Sequence, residues 1–91
     1  MTLANPTIGS LTAIAFEARD EALTACQNWP QWASAHEGYG VLTEEYRELE
    51  THVFTKQKNR DLAAMRKEAI QLAAMAIRFV HDICDGDRGR K

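Results

Sequence analysis

The chain has 91 residues, of which 45% are hydrophobic and 26% charged, and its formal net charge is −2. That is enough chain for one globular domain, and the composition excludes a collagen-like repeat, a disulfide-dense scaffold and a wholly disordered polymer. There is no surplus of Lys and Arg to displace counterions, so long nucleic acid is not an expected partner.

Several further expectations follow from the same inventory. No apolar run approaches the roughly 20 residues that span a bilayer. Met1-Thr2-Leu3-Ala4-Asn5-Pro6 lacks the basic-then-apolar order of a secretory signal. Cys26 and Cys84, the only thiols, then read as reduced, partly buried cysteines of a cytoplasmic protein. A helical chain this short forms a modest core, so a second copy is expected to complete it.

Strict apolar–polar alternation is missing, whereas Ala, Leu, Glu, Arg, Met and Gln dominate long windows; the class is all-α, an antiparallel bundle. Residues 1–9 form a leading segment, 10–84 one helical domain, and 85–91 a polar tail expected to be loose. The first helix covers about 10–27, with Ser10 as its N-cap. Leu11, Ile14, Ala15, Ala18, Ala22 and Ala25 make an Ala-rich stripe that lets a partner helix come close. Pro30 ends the helix at Asn28-Trp29. Trp29 and Trp32 then either close one end of the bundle or offer a ring to a nucleobase.

The second helix begins at Ser34, where Ser34-Ala35-His36-Glu37 fits a capping box. Gly38 and Gly40 each weaken its first turns by about 1 kcal/mol relative to Ala, a cost that makes sense where something must approach the backbone. Leu42, Tyr46, Leu49 and Val53 form its apolar stripe. The basic linker Thr55-Lys56-Gln57-Lys58-Asn59-Arg60 is short, so the third helix runs back antiparallel. Asn59 or Asp61 caps that helix, which reaches about residue 84 on a stripe of Leu62, Met65, Ala69, Leu72, Ala76, Phe79 or Val80, and Ile83.

Acids beside the second stripe carry the chemistry. Glu45 and Glu48 are i, i+3 neighbours and Glu44 and Glu48 are i, i+4 neighbours, close enough to repel. Glu68 borders the stripe of the third helix, and antiparallel packing brings it across from Glu45 and Glu48. Such a cluster of oxygens suits Mg²⁺, which binds carboxylates at about 2.1 Å and keeps waters and phosphates as further ligands. The alternative is a solvated acidic face paired with Arg47 and lysines. Lys56, Lys58, Arg60, Arg66 and Lys67 stand near the same end and could hold a polyphosphate. His36 is weighed as a contact to a bound base against a structural hydrogen bond. His52 is weighed as a partner of the acids. His81 and Cys84 are too few for a zinc site, and Cys26 has no neighbouring His in sequence to make it a nucleophile.

The segments 36–49 (His-Glu-Gly-Tyr-Gly-Val-Leu-Thr-Glu-Glu-Tyr-Arg-Glu-Leu) and 65–79 (Met-Arg-Lys-Glu-Ala-Ile-Gln-Leu-Ala-Ala-Met-Ala-Ile-Arg-Phe) resemble the MazG-like all-α nucleoside triphosphate pyrophosphohydrolases, in the short form common in phages and bacteria. The resemblance spans roughly 29–84 and adds little for the first helix. The family pattern, EExxE followed after a gap by ExxD, is matched by Glu44, Glu45, Glu48 and Glu68, but Gln71 stands where the family has Asp.

The resemblance implies Mg²⁺-dependent cleavage of a nucleoside triphosphate, or related nucleotide, to monophosphate and pyrophosphate. It implies Glu44 and Glu45 as catalytic acids and Glu45, Glu48, Glu68 and Gln71 as metal ligands. Contacts to the nucleotide would come from His36, Arg60, Arg66, Lys67 and Trp32. It also implies a homodimer or homotetramer, in the host cytoplasm if the chain is phage-encoded. A neutral Gln71 removes one charge from the site and opens a second expectation, a protein that binds a nucleotide without cleaving it. A purely structural or interaction module with solvated acids is the third.

Overall fold

Capping chemistry decides where each helix starts. In the computed structural model, which describes residues 7–90, Thr7 holds an extended backbone and its Oγ1 accepts the Ser10 N–H at 3.0 Å. The first helix, α1, therefore spans Ile8–Asn28. Ser10 lies inside it as the capped residue rather than the cap, because Thr7 supplies the same hydroxyl a turn earlier. The leading segment proposed for residues 1–9 falls mostly outside the described residues. At the far end the Trp29 N–H still reaches Ala25 O at 2.9 Å, after which Pro30 stops the helix.

The second helix, α2, spans Ala35–Val53 with Ser34 as its N-cap; Ser34 Oγ accepts the Glu37 N–H at 3.2 Å. Glu37 completes the box with a shift of one residue, its Oε2 accepting from the Ala33 N–H at 2.9 Å instead of from Ser34. Asp61 caps α3, Leu62–Phe79, by accepting the Ala64 N–H at 3.1 Å. Between α2 and α3 a short 3-10 turn, Gln57–Asn59, reverses the chain.

The third helix does not continue to Cys84 as an α-helix. Val80–Cys84 wind as a π turn, closed by the Asp85 N–H on Val80 O at 2.8 Å. Beyond it the segment read as a loose tail folds back, with the Arg88 and Gly89 N–H groups both on Ile83 O. Asp87 takes a left-handed backbone (φ 57°) at that reversal.

α3 is the central element: α1 packs along one side of it and α2 along the other. The chain is all-α with no strand among the described residues, and no described helix is long and apolar enough to cross a membrane. The buried apolar side chains among these residues are few, namely Ala18, Ala22, Trp32, Ala74 and Ile83, three of them alanines. The alanines mark the seam between α1 and α3, where methyl-sized side chains let the backbones approach. Gly38 plays the same part where α2 begins. A Cβ there would lie 2.8 Å from Phe79 Cδ2 and 2.9 Å from Trp32 Cε3, whereas nothing lies within 4 Å of one at Gly40. The close approach anticipated for the two glycines thus exists at one of them.

Candidate functional site

The acids of α2 and α3 meet. One carboxylate oxygen from each of Glu45, Glu48 and Glu68 lies within 4.8 Å of the other two. Glu45 and Glu48 stand one turn apart on α2, and Glu68 faces them from the antiparallel α3. The Oε2 atoms of Glu45 and Glu68 are shut away from solvent with no hydrogen-bond partner. A buried acceptor left unpaired is costly, and here two of them sit within a cluster of like charge.

The electrostatics match that geometry. Burial pushes the Glu45 carboxyl above its ordinary value of 4.5, and the charges of Glu48, Glu68 and Glu44 push it further. Glu48 is raised as well, chiefly because the Glu68 carboxylate lies within hydrogen-bonding reach, and also by repulsion from Glu68. His52, one turn along α2, acts in the opposite direction on Glu48. Both shifts say that negative charge is under-compensated at this point. A hard divalent cation with oxygen ligands is the group that such a donor set accommodates.

A cavity of about 630 Å³ adjoins these acids. Glu44 and Glu45 form part of its wall, Ala25 and Met75 come from α1 and α3, and Trp29, Pro30 and Trp32 close its end. Its size falls in the range of small-molecule sites, roughly 300–1,000 Å³. Gln71, one turn after Glu68, lines a smaller neighbouring recess of about 140 Å³ with Glu21, Thr24 and Trp29. It is half-buried on the α1 side of α3.

The remaining residues expected at the site divide sharply. Trp32 is 3% exposed and makes an edge of the cavity wall. The Arg78 guanidinium covers it 4.4 Å from the ring centroid, and the Phe79 ring packs at 6.5 Å. It closes the bundle instead of presenting a free stacking face; the exposed tryptophan is Trp29. Arg60 donates to Val53 O at 2.7 Å and 3.1 Å and to Thr55 O at 3.3 Å, so its guanidinium caps the C-terminus of α2. Arg66 forms a bidentate pair with Glu17 of α1, which raises its own pKa and lowers that of Glu17. These two arginines are occupied by the fold, Arg60 by carbonyls at the end of α2 and Arg66 by a carboxylate of α1. Lys67 is exposed. His36 borders a separate cavity with Ala35, Tyr39 and Phe79.

A second polar centre lies at the other end of α3 and was not anticipated. Asp82 is 1% exposed. Its Oδ2 accepts from Arg78 Nε at 3.2 Å and from the Trp32 N–H at 3.1 Å. Its Oδ1 lies 2.8 Å from His81 Nδ1. Arg78 also donates to Pro30 O at 2.6 Å, and the Gln31 amide donates to Asp82 O at 3.1 Å. Burial alone would raise the Asp82 carboxyl, but the bonds from His81 and Trp32 and the Arg78 charge outweigh it and hold the pKa below its ordinary value. The i, i+4 spacing of Arg78 and Asp82 was the one local signal that could have revealed this pair.

No known family model, curated protein or solved structure matches this chain.

Proposed function

We propose that the protein binds a nucleoside triphosphate, or a related nucleotide, through Mg²⁺ held by Glu45, Glu48 and Glu68, and hydrolyses it to a nucleoside monophosphate and pyrophosphate. The observation that carries this reading is the convergence of three carboxylates from two helices with two buried oxygens unpartnered. A divalent ion would offset the repulsion that raises Glu45 and Glu48, and bound phosphates would complete its shell. In the chemistry Mg²⁺ supplies, charge on the phosphoryl oxygens is neutralised as the bond to phosphorus breaks. Glu44 and Glu45, on the cavity wall, would orient the attacking water and accept its proton. The adjoining cavity has room for a nucleoside, and Trp29 is the aromatic surface beside it.

The protein is also proposed to act as a homodimer or homotetramer. Tyr39 and Tyr46 on α2 remain 67% and 56% exposed and flank a groove with Leu42 and Leu72. Leu11, Ile14, Phe16 and Leu23 on α1 are likewise uncovered. So many large apolar groups outside so small a core favour a covering copy of the same chain.

Gln71 favours a second reading, retention of the nucleotide without cleavage, because the position one turn after Glu68 carries no charge. Incubation with a panel of ribo- and deoxyribonucleoside triphosphates and Mg²⁺, with pyrophosphate measured, separates the two. Hydrolysis that is lost in Glu45→Gln and Glu68→Gln supports the enzyme. Mg²⁺-dependent nucleotide binding without hydrolysis, with activity appearing in Gln71→Asp, supports retention. Calorimetry that finds neither Mg²⁺ nor nucleotide bound rejects both.

A further inference from the structure

The centre around Asp82 contains a second donor set, and it differs in kind from the first. Cys26, near the end of α1, comes to the π turn that follows α3, so that one ligand atom from each of Cys26, His81 and Asp82 lies within 4.8 Å of the other two. The nearest His to Cys26 in sequence is ten residues away, yet folding places His81 beside it across 55 positions of chain. Cys84, which the spacing paired with His81, is not part of the group.

We propose that Cys26, His81 and Asp82 form a binding site for a divalent ion of the zinc class. Thiolate, imidazole and carboxylate are the mixed sulfur, nitrogen and oxygen donors that Zn²⁺ takes, and three protein ligands leave a fourth position open to water. The acids of α2 and α3 offer oxygen only, so the two sites select different ions. Asp82 is fixed: Arg78 and the Trp32 N–H hold Oδ2, and Oδ1 faces His81. An ionised carboxylate can only accept, so His81 Nδ1 carries the proton in the metal-free state; for Nδ1 and Oδ1 to face one ion together, that proton moves to Nε2, which is open to solvent.

Both thiols are exposed rather than partly buried, because Cys26 lies off the alanine seam of α1 and Cys84 faces outward; Cys26 and the exposed His81 can therefore adjust toward an ion while Asp82 stays fixed. A cavity of about 220 Å³, bounded by Trp29 and Gln31 besides the three donors, has room for the ion and its water. Binding releases the thiol proton of Cys26 to solvent, shifts the imidazole proton of His81 from Nδ1 to Nε2, and changes no oxidation state.

Titration of the full chain with Co²⁺, followed by displacement with Zn²⁺, tests the site. The expected result is one ion per chain with a sulfur-to-cobalt charge-transfer band. The band disappears in Cys26→Ser, persists in Cys84→Ser and in Glu45→Gln, and needs at least about 10-fold more Co²⁺ in His81→Ala. Both Cys26 and His81 are exposed, so these variants are expected to keep wild-type helical circular dichroism. Asp82 is left intact because the fold depends on it. Absence of the charge-transfer band at saturating Co²⁺, or a band that follows Cys84 instead of Cys26, overturns the proposal. So does wild-type affinity in Cys26→Ser.

Discussion

Asp82 and the Glu45–Glu48–Glu68 cluster are two ways of placing carboxylates inside one small bundle, and the fold treats them oppositely. Asp82 is the more deeply buried, yet both its oxygens are occupied, by a guanidinium, a backbone N–H and an imidazole. Its charge is favoured, and its pKa falls. The glutamates are less buried but face one another, with two oxygens unpartnered and with raised pKa values at Glu45 and Glu48. Burial does not determine the fate of an acid; the sign of its neighbours does. A satisfied acid holds structure together and can fix the donors around it, as Asp82 does, whereas a cluster left unsatisfied gains charge compensation only from a ligand.

The contrast is broken most severely at Asp82. Asp82→Ala leaves Arg78 buried without its partner and frees the Trp32 N–H, so urea denaturation should show a loss of about 3–5 kcal/mol. Next comes Gly38→Ala, whose added methyl meets Trp32 and Phe79 beside the same centre. It should cost about 1–3 kcal/mol, while Gly40→Ala, in open space, should gain up to about 1 kcal/mol from helix propensity alone. An equal response at both glycines would mean that Trp32 and Phe79 are not packed as described.

At the cluster the sign should reverse. Glu45→Gln removes a repelling charge, so the metal-free protein should become more stable by about 0.5–1 kcal/mol near neutral pH. On the proposed Mg²⁺ site, added Mg²⁺ should raise the melting temperature of the wild type, and the same change should abolish that rise. Destabilisation of the metal-free chain by Glu45→Gln would place Glu45 with Asp82 as a structural acid.

The pH dependence sharpens the same opposition with the smallest signal. Glu45 and Glu48 bind protons more tightly folded than unfolded, so their favourable contribution is full below pH 4.5 and is lost as pH rises through the raised folded values. Asp82 behaves in the reverse sense: its contribution is present above pH 3.8 and is lost as pH falls through its depressed folded value. Melting temperature in chelator should therefore decline as pH rises from about 4.5 through the raised glutamate values and level off above them, and Mg²⁺ should flatten that decline. A melting temperature that climbs with pH through that window in chelator would contradict the raised values.

Much of the helical layout was legible because caps and breakers act locally. Ser34, Asp61 and Pro30 announce their boundaries within a turn of chain. Thr7 and Ser10 compete for one role, and nothing local separates two hydroxyls three residues apart, so the start of α1 shifted. The meeting of Glu45, Glu48 and Glu68 was legible from two stripes and a short linker, since an antiparallel hairpin has little freedom of register. Arg60 and Arg66 were read as free cations because their partners, Val53 O and Glu17, belong to a helix end and to a helix whose docking no spacing discloses. The same holds for Cys26 and His81. Their encounter depends on the π turn after Phe79 and on how α1 lies against α3, and both are properties of the assembled bundle.

The seam between α1 and α3 has a consequence for what the cleft admits. Ala18, Ala22 and Ala74, all at most 5% exposed, act as a spacer of fixed thickness between two helices. α1 carries Ala25 and leads into Trp29, whereas Glu45 belongs to α2. A bulkier residue at the spacer would work like a shim, tilting one wall of the cleft away from the other. If the cleft takes the proposed nucleotide, the size it admits could then be retuned without altering any side chain of the cleft wall, and natural variation at these methyl groups would be the place to look for it.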